Sequence, residues 1–466
     1  MAIAILPVIV LVALLTLVIL VLPRQHPGFE GSGHLPLLLS AAVAGLVARA
    51  YGYRWSTLQS GIGRAIGMAM NAILILVVIG MLIGTWLAGG VVPALVVWGL
   101  KLLEPSYFLP TACAVCSIVA LVTGSSWSTA GTVGLALIGI GTAMGVDPAM
   151  TAGAVVSGAY FGDKLSPLSD TTNLAPAMAG TELFVHIRHM AYTTGPAWLV
   201  SMLLYAGLSL STPVEPPAAT VGSIGEVIGA HFDIGLLQLV PPVVVIAMVA
   251  RGRPALPTLL LGAVLGAGVA MAHGSEVTTV LTAAMSGYVA TTGDPAVDEL
   301  LSRGGMTSMS STVLLIFCAM AFGGVMECTG MLQTLAGQLL RLARSTGSLV
   351  MVTVGTAAGL NVIAADQYIA IVVPGRMYAA AFRDRGLHPK NLSRAVEDGG
   401  TITSPLVPWN TCGAFMAATL TVSTFTYAPY AFLCFLNPLL SILYGFTGWT
   451  MHEAEPEHSA DSAAPG

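Results

Sequence analysis

Charge is scarce in this chain: of 466 residues, 17 are Lys or Arg and 22 are Asp or Glu, 8% in all, where a soluble globular protein carries roughly a quarter. That excludes an ordinary cytosolic enzyme, and no basic footprint of a nucleic-acid binder is present. Cysteine is sparse too, six residues in apolar surroundings. Cys113 and Cys116 have the spacing of a metal or redox pair, but no second pair or neighbouring His completes a site, so they read as buried thiols. Strand-like alternation of apolar and polar residues is missing, which excludes a transmembrane barrel. The apolar start, residues 2–22, has neither a basic leader nor a convincing cleavage site and is read as a retained first helix.

What the chain does have is apolar length. Hydrophobic residues make up 55% and mean hydropathy is +0.84, in continuous Leu-, Ala- and Gly-rich stretches of spanning length. This is an all-α polytopic membrane protein. Helices are expected near 2–22, 34–50, 66–89, 107–122, 130–145, 149–161, 190–210, 233–250, 255–272, 278–292, 308–326, 347–360, 366–382 and 412–446, the last as two segments around Pro429. Basic residues cluster at Arg49, Arg54 and Arg64, at Arg251 and Arg253, and at Arg376, Arg383, Arg385, Lys390 and Arg394. By the positive-inside rule these loops, and the N-terminus, face the cytoplasm; the expected location is the cell (inner) membrane.

The two halves echo one another. Gly162, Ser166, Pro167 and Leu168 recur 238 residues later as Gly400, Ser404, Pro405 and Leu406. The same offset sets Ser128 and Thr129 opposite Asp366 and Gln367, and a looser one pairs Gly84 and Gly90 with Gly324 and Gly330. An internal repeat with polar breaks at matching places is the pattern of transporters with a midplane site. The expected organisation is N-terminal helices over 1–65, then a first repeat over 66–210, with a hairpin near 107–145 and a broken helix near 149–176. A linker with central helices follows over 211–304, then a second repeat over 305–450, with a hairpin near 347–382 and a broken helix near 395–425. A disordered acidic tail closes the chain over 451–466.

The polar breaks carry the chemistry. Segment 160–176 holds Asp163, Lys164, Ser166, Pro167, Ser169, Asp170, Thr171, Thr172 and Asn173 between apolar spans. Pro167 should open the helix and free carbonyl oxygens as cation ligands, with Ser, Thr and Asp oxygens beside them. Pro405 does the same near Ser404, Asn410 and Thr411. An intramembrane carboxylate costs a few kcal/mol and needs a partner or a job. Asp170 is the first candidate, weighed against an N-cap; Asp366, in the polar gap 361–368, is weighed the same way. Asp163 has Lys164 beside it, and Lys164 could pair with Asp163 or Asp170. Glu327 could lie in the membrane or at its surface. Glu397 and Asp398 sit at the edge of the basic loop, either solvated or paired with Arg394, or ion-binding. The run 123–132 reads as a re-entrant tip offering Ser128 and Thr129, the alternative being an exposed loop. His186 and His189 flank Arg188 in what reads as an interfacial stretch, so both are placed at the surface.

At these residues the chain resembles the NhaC-type sodium/proton antiporters. The run 160–175, continuing to Thr181 and the segment 186–190, matches their signature, as do the segments 84–86, 128–132, 365–368 and 408–413. The resemblance spans about 69–438. It implies two inverted repeats, each with a re-entrant hairpin and a broken helix, and an elevator-like transport domain moving against a scaffold. The mechanism expected is exchange of Na⁺ for H⁺ through one shared carboxylate site. Asp170, helped by Ser166, Thr171 and Thr172, would face Asp366, Asn410 and Ser404, with Na⁺ at Asp170, Thr171 and Asn410. Asp170, Asp366, Asp398 and Glu327 are the candidate proton carriers and Lys164 the charge partner. No cofactor is expected, only transported Na⁺ and H⁺; Li⁺ and a homodimer are compatible with this reading. The alternative is a Na⁺- or H⁺-coupled organic acid exchanger of the malate/lactate type, for which Lys164 is the candidate cation inside a matched motif, Arg188 and Arg376 reading as interfacial. A membrane hydrolase is disfavoured because no His lies in a broken-helix motif.

Overall fold

The computed structural model describes residues 2–26, 32–211 and 218–454; the expected disordered tail lies outside them from 455 onward. Among the described residues there are helices and one isolated β-bridge, between Leu387 and Glu453, and no strand. Among the described residues six helices are long and apolar enough to cross a membrane: Ala4–Gln25, Trp55–Ala88, Pro105–Thr123, Ala255–Ala272, Met306–Cys328 and Thr346–Ile363, with Thr424–Tyr430 and Phe432–Thr447 a seventh span if that bent pair counts as one. The 34-residue helix Trp55–Ala88, at 1.5 Å per residue, is about 51 Å long. It outruns a hydrocarbon layer of roughly 30 Å and must tilt or project. Against it pack Ala255–Ala272 and Ser310–Cys328.

Helix boundaries follow the sequence pattern with instructive departures. The span expected at 66–89 begins at Trp55, because Gly61, Gly63 and Gly67 are absorbed in a helix whose apolar face is long enough to hold them. The one expected at 190–210 begins at Leu183 and takes in the stretch read as interfacial. The stretch 412–446, expected to divide around Pro429, does so and breaks once more before it, into Thr411–Leu420, Thr424–Tyr427 and Phe432–Thr447. Pro429, which lacks an amide hydrogen, sits in a short 3-10 turn between the last two.

Two helical hairpins and two interrupted helices frame the centre. In the first hairpin, Phe108–Thr123 turns at Gly124 and Ser125 into Ser126–Thr129, a π-turn Ala130–Gly134 and Leu135–Ala143. In the second, Thr346–Ile363 turns at Ala364 and Ala365 into Gln367–Arg383. The interrupted helices are Pro148–Leu165 with Asp170–Ala179, and Pro389–Gly400 with Thr411–Leu420. Phe108–Thr123 lies tightly on Pro148–Leu165. A Cβ on Gly158 would sit 2.2 Å from the Cys113 carbonyl oxygen, and one on Gly162 would sit 2.3 Å from that of Ser117. This four-residue glycine spacing is how membrane helices bring backbones together. It also explains the cysteines: Cys113 and Cys116 are buried free thiols in that seam.

Candidate functional site

The hairpin tips and helix breaks meet around a cavity of about 430 Å³. Asp163, Asp170 and Asp366 all line it, together with Ser128, Thr171 and Thr411. Each is placed by a local reason. Asp163, near the end of Pro148–Leu165, accepts two hydrogen bonds on Oδ2 from Ser126, at 3.1 Å from its amide and 2.6 Å from its hydroxyl. The first hairpin tip is thereby tied to the first break. Asp170 opens the helix Asp170–Ala179, but the N-cap is Ser169, whose side chain accepts from the Thr172 amide. Asp170 is left exposed toward the cavity. Asp366 does cap its helix, accepting on Oδ1 from the amides of Tyr368 and Ile369 at 2.9 and 3.2 Å, while lining the cavity at 2% exposure. The second tip is tied to the second break in turn: Ala365, in the left-handed region at φ 58°, accepts on its carbonyl from the Thr411 amide at 3.0 Å. Trp127 from the first tip stacks on Phe415 beyond the second break, ring centroids 4.0 Å apart.

The freed carbonyls are not bare. At the first break the Thr172 hydroxyl donates to the carbonyls of Asp163 and Lys164, at 3.2 and 3.0 Å, and Ser166 donates its amide to Asp163. Thr172 and Ser166 are fully buried and stand behind the cavity wall. The second break is sealed similarly. Ser404 donates to the Thr401 carbonyl at 2.7 Å, and Asn361 to that of Gly400 at 2.6 Å. Asn410 caps the following helix while its amide nitrogen donates to Asn361. Ser404, Asn410 and Thr129 are buried and are not among the cavity-lining residues. Among the described residues no three His, Cys, Asp or Glu side chains converge closely enough to hold a resident metal. The carboxylates share a cavity without closing a cage.

Several charged residues sit elsewhere than expected. Lys164 pairs with neither Asp163 nor Asp170: its Nζ donates to Asp398, and both side chains are wholly buried. Thr193 and Asn437 donate to the same Asp398 oxygen at 3.3 and 2.7 Å. Glu397, Asp398 and Arg394 are therefore not at a solvated loop edge; all three are buried in Pro389–Gly400, which lies against the second hairpin and the last helix. His186 and His189 are not at the surface either, with exposures of 0% and 2%. On the helix Leu183–Ser211, positions 186, 189, 190 and 193 share the inner face and Arg188 the outer. His186 meets the Ser393 hydroxyl at 2.8 Å, and the His189 ring is edge-on to that of His452. Glu327 is half-buried and outside the cavity.

The cavity also contains groups that sequence reasoning left out. Asn71 reaches it from the long apolar helix, where a lone amide in a spanning stretch was a signal in plain view. Gln367, Tyr368 and Trp127 line it from the tips, and Arg253 stands at its edge, having been counted only as a loop charge.

Similarity to known proteins agrees with this architecture. The model of the Na⁺/H⁺ antiporter family matches residues 158–449, the stretch that runs from the first break to the end of the last helix. The chain is 36% identical over 417 residues to the Na⁺/H⁺ antiporter NhaC of Alkalihalophilus pseudofirmus, covering 89% of this chain and 90% of that one. It is 38% identical over 439 residues to the arginine/ornithine antiporter ArcD of Halobacterium salinarum, covering 92% and 90%. To the malate-2H⁺/Na⁺-lactate antiporter of Bacillus subtilis it is 36% identical over 422 residues, covering 89% of each. With apolar spans, interrupted helices and matches across nearly its whole length, the chain is a multi-pass membrane protein belonging to the Na⁺/H⁺ antiporter family.

Proposed function

We propose that this protein exchanges Na⁺ for H⁺ across the membrane through one site shared by Asp163, Asp170 and Asp366. The observation that carries the reading is the common cavity of those three carboxylates, each held at a helix break or hairpin tip. A carboxylate at membrane depth is too costly to carry empty and charged, so it holds either a proton or a cation. Competition for the same oxygens enforces exchange. Asp170 is the central group, because Ser126 already occupies one oxygen of Asp163 and two amides one oxygen of Asp366. Thr171 and Ser128 add hydroxyl oxygens from the wall. The two hairpins with their breaks form inverted repeats of a transport domain that moves elevator-fashion against the long N-terminal helices, the N-terminus lying in the cytoplasm.

Arg253 at the cavity edge favours a second reading, a Na⁺- or H⁺-coupled exchanger of organic acids, since a guanidinium there could receive a carboxylate. The cavity is larger than a bare sodium ion needs, and the relatives' names cover cations, malate with lactate, and arginine with ornithine. The deciding experiment is sodium-driven proton movement in proteoliposomes, with and without malate or lactate, with Asp170→Asn alongside. A sodium gradient alone should acidify or alkalinise the lumen in the wild type and not in the variant. Proton movement only in the presence of an organic acid would transfer the assignment to the second reading.

A further inference from the structure

A second cavity, of about 400 Å³, is a slot between the helix Val91–Leu102, the second arm of the first hairpin and the helix Val240–Ala250. Trp98 and Gly99 line it from the first, Thr132, Ala136 and Ile140 from the second, and Pro242 from the third. The Thr132 hydroxyl is committed to the Ser128 carbonyl at 2.7 Å, so the walls offer little to a polar molecule. Left empty, such a slot would forfeit the contacts that close packing keeps, and water gains nothing from walls without polar partners. Its shape is elongated. A Cβ on Gly99 would lie 2.4 Å from Ile140, so the two helices touch there, and Thr132 is eight residues back along the hairpin arm, about 12 Å away.

A cation stands near the Gly99 end. Lys101 is the single basic residue between Arg64 and Lys164. Its ammonium lies 5.3 Å from the centre of the Trp98 ring, the ring that walls the slot. The side chain is exposed, and among the described residues no carboxylate pairs with it, Glu104 included. Tryptophan and a snorkelling lysine at a helix end are the residues of a membrane–water interface.

We propose that this slot binds an anionic phospholipid, with an acyl chain in the slot and the phosphate on Lys101. The walls select a chain, and the lone ammonium favours an acidic head over a zwitterionic one. The chain would lie against the π-turn Ala130–Gly134, which carries the first hairpin tip. An occupied slot therefore braces that hairpin against the helix Val91–Leu102.

The test titrates the delipidated full chain in detergent with phosphatidylglycerol, with phosphatidylcholine of the same chains, and with glycerol 3-phosphate, which has the acidic head and no chain. Native mass spectrometry reads the bound mass. Phosphatidylglycerol should bind in preference to phosphatidylcholine, and glycerol 3-phosphate should not bind. Lys101→Gln should weaken phosphatidylglycerol about fivefold and leave phosphatidylcholine unchanged. Ala136→Phe fills the slot and should abolish the preference, together with the rise in melting temperature that phosphatidylglycerol gives the wild type. Equal binding of the two lipids would reduce the slot to ordinary lipid contact and overturn the proposal. Binding of glycerol 3-phosphate as tight as that of the lipid would make it a phosphate site without a chain, and overturn it too. So would undiminished phosphatidylglycerol binding in Lys101→Gln, a change at an exposed side chain that decides the matter even where Ala136→Phe does not fold.

Discussion

Lys164 and Asp398, 234 residues apart, form an ion pair that solvent does not reach. The pair joins the first interrupted helix to the second. Replacing Lys164 by Met would leave Asp398 buried without its cation, a loss of about 3–5 kcal/mol. The expected result is a lower melting temperature in detergent, with most of the loss recovered when Asp398→Asn is added. A double variant no more stable than Lys164→Met would mean the two residues do not interact as described.

Thr172→Val removes the hydroxyl that serves two carbonyls at the first break. It is nearly isosteric, so the cost is that of unmet acceptors, about 1–3 kcal/mol. Thermal unfolding should show the loss, and hydrogen exchange should speed at the amides of 163–172 before other helices. Uniform exchange would disprove the bracing role.

Two changes at Asp366 divide its cap from its charge. Asn keeps the cap and Ala removes it, so Ala should be the less stable by about 0.5–2 kcal/mol. Both remove a cavity carboxylate, and both should lose sodium-driven proton transport. Transport retained in Asp366→Asn would reduce the residue to a cap.

Gly158→Leu forces a side chain where even a Cβ would lie 2.2 Å from the Cys113 carbonyl. Separation of the two helices should cost about 1–3 kcal/mol or more, seen as poor yield and early unfolding. Labelling of Cys113 by a thiol reagent should quicken as the seam opens; unchanged labelling would argue against this close approach.

The sequence made the helices and their interruptions legible for a local reason: Pro167, Pro405 and the polar runs beside them disturb an otherwise apolar pattern. It also led to Asp163, Asp170 and Asp366, because a carboxylate among spanning stretches stands out wherever it occurs. Partners across the fold were not legible. Nothing near Lys164 in sequence points to Asp398, and the adjacent Asp163 was the misleading candidate. His186 and His189 misled because Arg188 between them faces outward, so three neighbours at helical spacing divide between two environments. Arg253 was hidden in a loop whose charge had a sufficient explanation in membrane orientation, and its place at the cavity edge depends on how the spans are assembled.

The ties between tips and breaks bear on the protein's history. Ser126 serves Asp163 within one half of the chain, Ala365 serves Thr411 within the other, and Trp127 rests on Phe415 across them. A substitution at one tip must suit an acid in its own half and a ring in the opposite one. Even if the halves began as copies, neither could drift alone, and a lineage that altered its cargo would have to revise both together.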